Sequence, residues 1–127
     1  MKSKYFVPYE TAKALKEKGC PQDMDYYWMV RGKEEPHGVT LHDKLDYEDD
    51  WGVGFATFIP APTYHEVLDW FEDKGIYIHT DVAFKNNGNY WGAEIDSKLA
   101  PRILFTDLYH TREEALNAAI LKALEMI

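Results

Sequence analysis

The stretch "PAPTYHEVLDWFEDKG" (60–75) constrains the fold most, because it marks both ends of a helix and a strand pattern follows at once. Thr63 and Glu66 have the spacing of a capping box, in which two side chains satisfy free amides at the start of a helix. Apolar side chains then recur with the period of one helix face, at Tyr64, Val67, Leu68 and Phe71. Gly75 suits the left-handed conformation that commonly ends a helix. These signals predict an amphipathic helix near 63–74.

Two other segments carry helix signals. In "YHTREEALNAAILKALEMI", Thr111 and Glu114 form a second capping box, and the apolar stripe consists of Leu116, Ile120, Ala123, Leu124 and Ile127. The N-terminal "PYETAKALKEKG" turns Ala12 and Leu15 to one side. We therefore expect three amphipathic helices, near 9–18, 63–74 and 111–126. An internal duplication stays open, because helix chemistry alone selects the residues that the segments share.

Between the helices the apolar period changes to two, which indicates strands. In "IYIHTDVAF" the inward residues are Ile76, Ile78, Val82 and Phe84, and the outward ones are Tyr77, His79 and Asp81. Asn87-Gly88 then predicts a type I′ hairpin turn. Short links join strands expected at 76–84, 90–96 and 102–109, so we expect an antiparallel meander. The sequence predicts a single α+β domain spanning 1–127, with one antiparallel β-sheet and about three amphipathic helices packed on one face.

The formal charge of −8 narrows the range of partners. Lys and Arg are scattered, so the sequence lacks the basic patch of a nucleic-acid binder and disfavours that class. The acidic run "DKLDYEDD" (43–50) lacks the spacing and the central glycine of an EF-hand loop. It is interpreted as a solvated loop, with a cation site or an acidic surface for a basic partner as the alternative.

The remaining composition predicts a cytoplasmic protein that does not enter a membrane. The one cysteine, Cys20, excludes an internal disulfide. The N-terminus lacks the apolar stretch of a signal peptide, and no apolar run approaches the roughly 20 residues of a spanning helix.

Residue types that usually carry catalysis or bind metals form no recognisable motif. The five histidines lack HExxH and zinc-finger spacing. Cys20 follows a helix C-terminus, where the helix dipole disfavours the thiolate that a nucleophile needs. The sequence contains neither the GxSxG motif of a nucleophile elbow nor the motif of a phosphate-binding loop. We therefore predict no catalytic residue, no cofactor and no metal site.

A candidate binding surface follows from aromatic and polar residues in outward positions. Tyr77, His79 and Asp81 share one strand face, and Trp70 lies at the edge of its helix stripe. Tyr and Trp concentrate at protein interfaces, which suggests a protein partner. The alternative for His79 and Asp81 is an exposed polar face without a role.

A second candidate surface lies in the predicted strand "WGVGFATFI" (51–59). Gly52 and Gly54 share a flat face of small residues. This face is either a packing surface for a helix or a shallow groove for a ligand or peptide, and both interpretations stay open.

Three segments carry a resemblance: "IPAPTYHEVLDWFEDKGIYIH", "YWGAEI" and "YHTREEALNAAILKALEMI". They resemble small proteins of unassigned function that are encoded by phages and prophages of gut Bacteroides-like bacteria. The likeness covers mainly residues 59–127 and consists of helix caps, core stripes and helix ends. It implies an origin in a mobile element and carries over no active site.

These observations favour a phage- or prophage-related accessory protein that acts by protein binding and is not an enzyme. One alternative is a small enzyme that uses polar strand-face residues such as His79 and Asp81. Another is an acidic decoy that mimics DNA, for which a charge of −8 is modest. The identity of a protein partner and the presence of a homo-oligomer stay open.

Overall fold

The structure, a computed structural model, describes residues 3–21, 26–31, 39–43, 56–98 and 103–127. After a short 3₁₀ helix (Ser3–Tyr5), the helices are α1 (Tyr9–Glu17), α2 (Tyr64–Asp73) and α3 (Arg112–Leu124). The strands are β1 (Tyr26–Arg31), β2 (Val39–Asp43), β3 (Ala56–Pro60), β4 (Ile76–Lys85), β5 (Gly88–Ser97) and β6 (Ile103–Phe105). The predicted α+β class is confirmed, and the three predicted helices are present.

Within the described residues, the strands form two antiparallel sheets of three strands each, with the orders β2-β1-β3 and β4-β5-β6. The described strands therefore form two sheets where the sequence predicted one. β3 pairs with β1, and α2 separates β3 from β4 along the chain. Alternation shows which residues of a strand share a face, but it does not show which strand becomes the neighbour.

Contacts between Cα atoms divide the chain into two compact units, Met1–Thr63 and Tyr64–Ile127. Each unit contains one of the two sheets. The single domain predicted from the sequence stays a prediction. Among the helices that the structure describes, none is long and apolar enough to cross a membrane.

In the N-terminal unit, the segment before α1 is tied to the sheet and to the residues after β3. Val7 donates its amide to the Pro62 carbonyl (3.0 Å) and accepts the indole Nε1–H of Trp28 at its own carbonyl (2.8 Å). The ring of Phe6 packs edge-on against Tyr26, with 4.9 Å between the centroids. These contacts bury Phe6 and Val7.

The helix α1 buries Ala12 and Leu15, as predicted. Its N-cap is Pro8, which forms no side-chain cap bond. At the other end, Gly19 has a φ of +89°, and the amide of Cys20 donates to the Leu15 carbonyl (3.0 Å). The chain thus leaves α1 through a left-handed glycine, which is a common way for a helix to end.

In the C-terminal unit, α2 begins directly after Thr63 and is followed by Gly75, which has a φ of +80°. Both limits agree with the helix predicted near 63–74. The buried residues of α2 are Tyr64, Val67 and Phe71. The capping bond predicted between Thr63 and Glu66 stays a prediction.

The N-cap predicted for α3 is confirmed. The amide of Glu114 donates to the hydroxyl oxygen of Thr111 (3.2 Å), and this hydroxyl donates to the Glu114 carboxylate (2.9 Å). The buried residues of α3 are Ala115, Ala119, Ile120, Ala123 and Leu124. Leu116 and Ile127 of the predicted stripe are half-buried and exposed, respectively. Small alanine side chains line most of the buried face, so α3 can approach the sheet closely.

β4 and β5 form the predicted hairpin, but its turn differs from the prediction. The register sets Ile78 opposite Ile95 and leaves residues 86–87 as the turn, one position before the expected Asn87-Gly88 pair. No non-glycine residue in the described ranges has a positive φ, so the turn is not of type I′. The pairing of two apolar side chains on the buried face outweighs the local turn preference.

Candidate binding face

The sheet β4-β5-β6 has two chemically different faces. On the inner face, Ile76, Ala93 and Ile95 are buried, and α3 packs against β4 and β5. The opposite face, here named the outer face, carries Tyr77, His79 and Asp81 on β4, Glu94 and Asp96 on β5, and Phe105 on β6. The outer face therefore combines carboxylates with aromatic side chains.

The structure places Tyr77, His79 and Asp81 together on the outer face, as their alternation predicts. His79 lies opposite Glu94, and its Nε2 is 3.8 Å from Oδ2 of Asp96. The two side chains of the His79–Asp96 pair are 58% and 38% exposed, and they attract each other as ions only when the imidazole is protonated. Solvent screens such a pair, so it contributes little to stability. The part of these residues in binding stays a prediction.

Trp70 is half-buried on α2. Its ring packs edge-on against Phe71 (5.1 Å between centroids), and Nζ of Lys74 lies 4.8 Å from the centre of the ring. Both partners are close to Trp70 in the chain, so these contacts do not connect it to the outer face. Gly52 and Gly54 lie outside the described residues, as does most of the acidic run 43–50.

A cleft of about 170 Å³ opens on the outer face between β5 and the segment that follows β6. Its sheet side is lined by Asp81, Gly92 and Glu94, and its other side by Phe105, Thr106 and Leu108. The volume is well above the roughly 10–15 Å³ that a single water molecule needs. The cleft can therefore accept a side chain or a small ligand.

The far side of the cleft is formed where the chain between Phe105 and Tyr109 contains one residue more than the part of β5 that it faces. Phe105 pairs with Glu94, and Tyr109 pairs with Trp91, so four steps along one strand match three along the other. Such a bulge bends the strand locally. Leu108 is thereby set over Gly92, where an added β-carbon would lie 3.2 Å from Cδ2 of Leu108.

The hydroxyl of Thr106 holds the bulge in place. The Ala93 amide donates to Oγ1 of Thr106 (2.9 Å), and this hydroxyl donates to the Asp107 carbonyl (2.9 Å). The amide of Thr106 also donates to the Ala93 carbonyl (2.9 Å). A side chain thus takes over a bond that a regular strand would form through its backbone.

The two carboxylates of the cleft have no partner within the part of the chain that the structure describes. Neither the Asp81 nor the Glu94 side chain forms a hydrogen bond or an ion pair there. Nζ of Lys98 lies 5.6 Å from the Tyr77 ring centre, and Nζ of Lys85 lies 5.5 Å from that of Tyr90. These two cations contact aromatic rings and do not pair with the cleft carboxylates.

The binding surface expected from the sequence does not include Glu94, Phe105 and Leu108, which line the cleft. The alternation of "NYWGAEI" already sets Glu94 opposite to the apolar residues of its strand, and that signal could have found it. Phe105 and Leu108 could not be found in this way. Their position depends on the bulge, which only the pairing with β5 reveals.

The cleft offers charge and apolar surface more than catalytic geometry. Among the described residues, no group of three or more His, Cys, Asp or Glu side chains is arranged to hold a metal ion. His79 does not line the cleft, and the ring of His110 packs at a tilt of 41° against Tyr90, with 5.2 Å between the ring centroids. No protein-family model, no curated protein and no solved structure matches this chain.

Proposed function

We propose that this protein binds another protein through the outer face of the sheet β4-β5-β6. The observation that carries the proposal is a row of apolar side chains that remain exposed beside two carboxylates, for which the described part of the chain offers no partner. Ile103, Phe105 and Leu108 are 54%, 64% and 45% exposed. Single exposed apolar residues are common, but a contiguous group rimmed by polar side chains is typical of an interaction site.

The composition of the outer face supports a protein as the partner. Interfaces combine an apolar and aromatic centre with a polar rim, and a few aromatic anchors supply most of the binding energy. Phe105 and Tyr77 provide aromatic rings on this face, while Asp81 and Glu94 provide polar groups. We expect Phe105 to be the main anchor, because it is the more exposed of the two rings.

The biological setting belongs to the same proposal. The capped helices and core stripes resemble those of phage- and prophage-encoded proteins, which supports an accessory role in a mobile element and action in the cytoplasm. Such a role is compatible with binding to a host or phage protein.

The small-enzyme alternative has one observation in its favour, the proximity of His79 Nε2 to Asp96 Oδ2 at 3.8 Å. A general base needs a partner carboxylate of this kind, but it also needs to face a substrate site. His79 does not line the cleft, so the geometry favours binding over catalysis. The DNA-decoy alternative is supported only by the carboxylates and does not account for the exposed apolar row.

Capture of a partner from cells tests the proposal. The immobilised full-length protein is incubated with extracts of infected or lysogenic cells, together with the variants Phe105→Ser and Leu121→Ser. Leu121 is also an exposed apolar residue, 42% exposed, but it lies on α3. We expect the parent and Leu121→Ser to retain the same protein and Phe105→Ser to lose it. Equal retention by Phe105→Ser, in a variant that unfolds at the parent midpoint, would contradict the proposal.

A further inference from the structure

We propose that the cleft on the outer face receives an arginine or lysine side chain from a basic segment of the protein partner. The inference rests on the proposed function and specifies the chemistry of the partner. Its two observations are the carboxylates of Asp81 and Glu94, which have no partner among the described residues, and the apolar wall formed by Phe105 and Leu108.

The carboxylates define where a cation would bind. Asp81 lies opposite Gly92, so Asp81 and Glu94 are diagonal neighbours on adjacent strands, whose Cα atoms are about 7–8 Å apart in this relationship. Carboxylates on such neighbours repel each other as like charges, and a cation between them removes that repulsion. Charge-assisted hydrogen bonds to one or both carboxylates would then form, which a guanidinium fork makes with the best geometry.

The opposite wall defines what carries the cation. Phe105 and Leu108 expose apolar surface along the cleft, which suits the methylene stem of a long basic side chain. An exposed aromatic ring such as that of Phe105 can also bind a guanidinium group over its face. A bare inorganic cation would leave this surface exposed to water, and a purely apolar side chain would leave the two carboxylates unpaired.

Two further observations favour a protein segment over a free cationic small molecule. Ile103 continues the apolar row beyond the cleft on the outer face, so contacts to it require a ligand longer than one side chain. The whole chain carries a formal charge of −8, which accelerates association with a basic partner. We therefore infer a segment with one basic residue in the cleft and apolar residues beside it.

Selection from a library of random dodecapeptides tests this inference without requiring an identified partner. The library is selected on the full-length protein and on the cleft variant Asp81→Asn/Glu94→Gln. The control variant Glu72→Gln/Asp73→Asn removes the same two charges from exposed positions of α2. We expect the parent and the control to enrich peptides in which Arg or Lys lies next to apolar residues, and the cleft variant to lose this preference.

An enriched peptide is then synthesised and titrated against all three proteins. We expect about tenfold weaker binding to the cleft variant, as for the loss of one charge-assisted contact, with unchanged binding to the control. N-acetylarginine amide serves as a second probe and should bind much more weakly than the peptide.

Three results would overturn the inference. They are enrichment of peptides without basic residues, equal affinity of an enriched peptide for parent and cleft variant, and binding of N-acetylarginine amide as tight as that of the peptide. The proposed function is judged separately, by capture of a cellular protein that depends on Phe105. A partner that is lost in Phe105→Ser but retained by Asp81→Asn/Glu94→Gln would leave the function intact and show the inference to be wrong.

Discussion

Leu108 covers Gly92 so closely that a β-carbon at position 92 would lie 3.2 Å from Cδ2 of Leu108. Alanine at position 92 would therefore push Leu108 aside, which is inexpensive because Leu108 is exposed. Gly92 does not have a positive φ, so alanine can adopt its conformation. We expect Gly92→Ala to change the free energy of unfolding by less than about 1 kcal/mol, since alanine also restricts the unfolded chain.

The same substitution should narrow the cleft and weaken the binding of an enriched basic peptide. Urea denaturation measures the stability, and methyl NMR of Leu108 reports its displacement. A Leu108 signal that shifts while the peptide affinity stays at the parent value would contradict a role of this cleft in binding.

Thr106→Val should destabilise the protein although valine has nearly the same shape. The buried residue Ala93 donates its amide to Oγ1 of Thr106, and valine cannot accept that bond. An amide that loses its partner in the interior costs about 1–3 kcal/mol. Thr106→Ser keeps the oxygen and should retain most of the stability. Equal urea midpoints for the valine and serine variants would show that the bond is not needed.

Gly88→Val tests a backbone conformation without a steric obstacle. Gly88 has a φ of +131°, and no atom lies within 4 Å of a β-carbon added there. The cost would come from the backbone alone, and we expect more than about 1 kcal/mol. Asn87→Ala is the control, because Asn87 is exposed and has no positive φ. If Gly88→Val and Asn87→Ala unfold at the same temperature, the positive φ of Gly88 in this turn is contradicted.

Thr111→Ala should remove the cap of α3. The Glu114 amide would lose the hydroxyl oxygen to which it donates at 3.2 Å, and we expect a loss of about 1 kcal/mol. Thr111→Ser preserves the hydroxyl and serves as the control. Amide hydrogen exchange should accelerate in the first turn of α3 for alanine only, and unchanged exchange would rule out a contribution of the cap.

Tyr64 should make stability sensitive to alkaline pH. Burial, and to a lesser extent the Glu113 carboxylate, raises the pKa of Tyr64 from 10.0 to about 12. The neutral phenol is thus favoured in the folded state, so its contribution is complete below pH 10 and is lost as the pH rises through about 12.

We therefore expect the free energy of unfolding to fall less steeply between these pH values in Tyr64→Phe than in the parent. Tyr5→Phe changes an exposed tyrosine and should keep the steep dependence of the parent. Denaturant titrations at a series of pH values provide the measurement, and identical slopes for parent and Tyr64→Phe would contradict the burial of a neutral phenol.

The sequence predicted those features that neighbouring residues determine. The cap formed by Thr111 and the left-handed glycines Gly19 and Gly75 depend on a few adjacent residues, and they lie where helix chemistry indicates. The outward placement of His79 and Asp81 follows from alternation in a single strand. Each of these predictions depends on a short stretch of the chain alone.

Features that depend on distant pairing could not be predicted. The described strands divide into two sheets because β3 pairs with β1, and the sequence of neither strand indicates which strand it pairs with. The observed turn lies one residue before the predicted one, because the register is set by the pairing of Ile78 with Ile95 and not by the turn residues alone. The cleft is the extreme case, since 102–109 has the pattern of one continuous strand and only comparison with β5 reveals the extra residue.

That extra residue also affects how such a protein can evolve. Deletion of any one residue between Phe105 and Tyr109 would equalise the two strands, because three steps would then match three from Glu94 to Trp91. The Leu108 side of the cleft would disappear, while Ala93 and Ile95 would keep their places in the core. A single-codon insertion or deletion can therefore create or remove the cleft in one step, without any intermediate in which the core is disturbed.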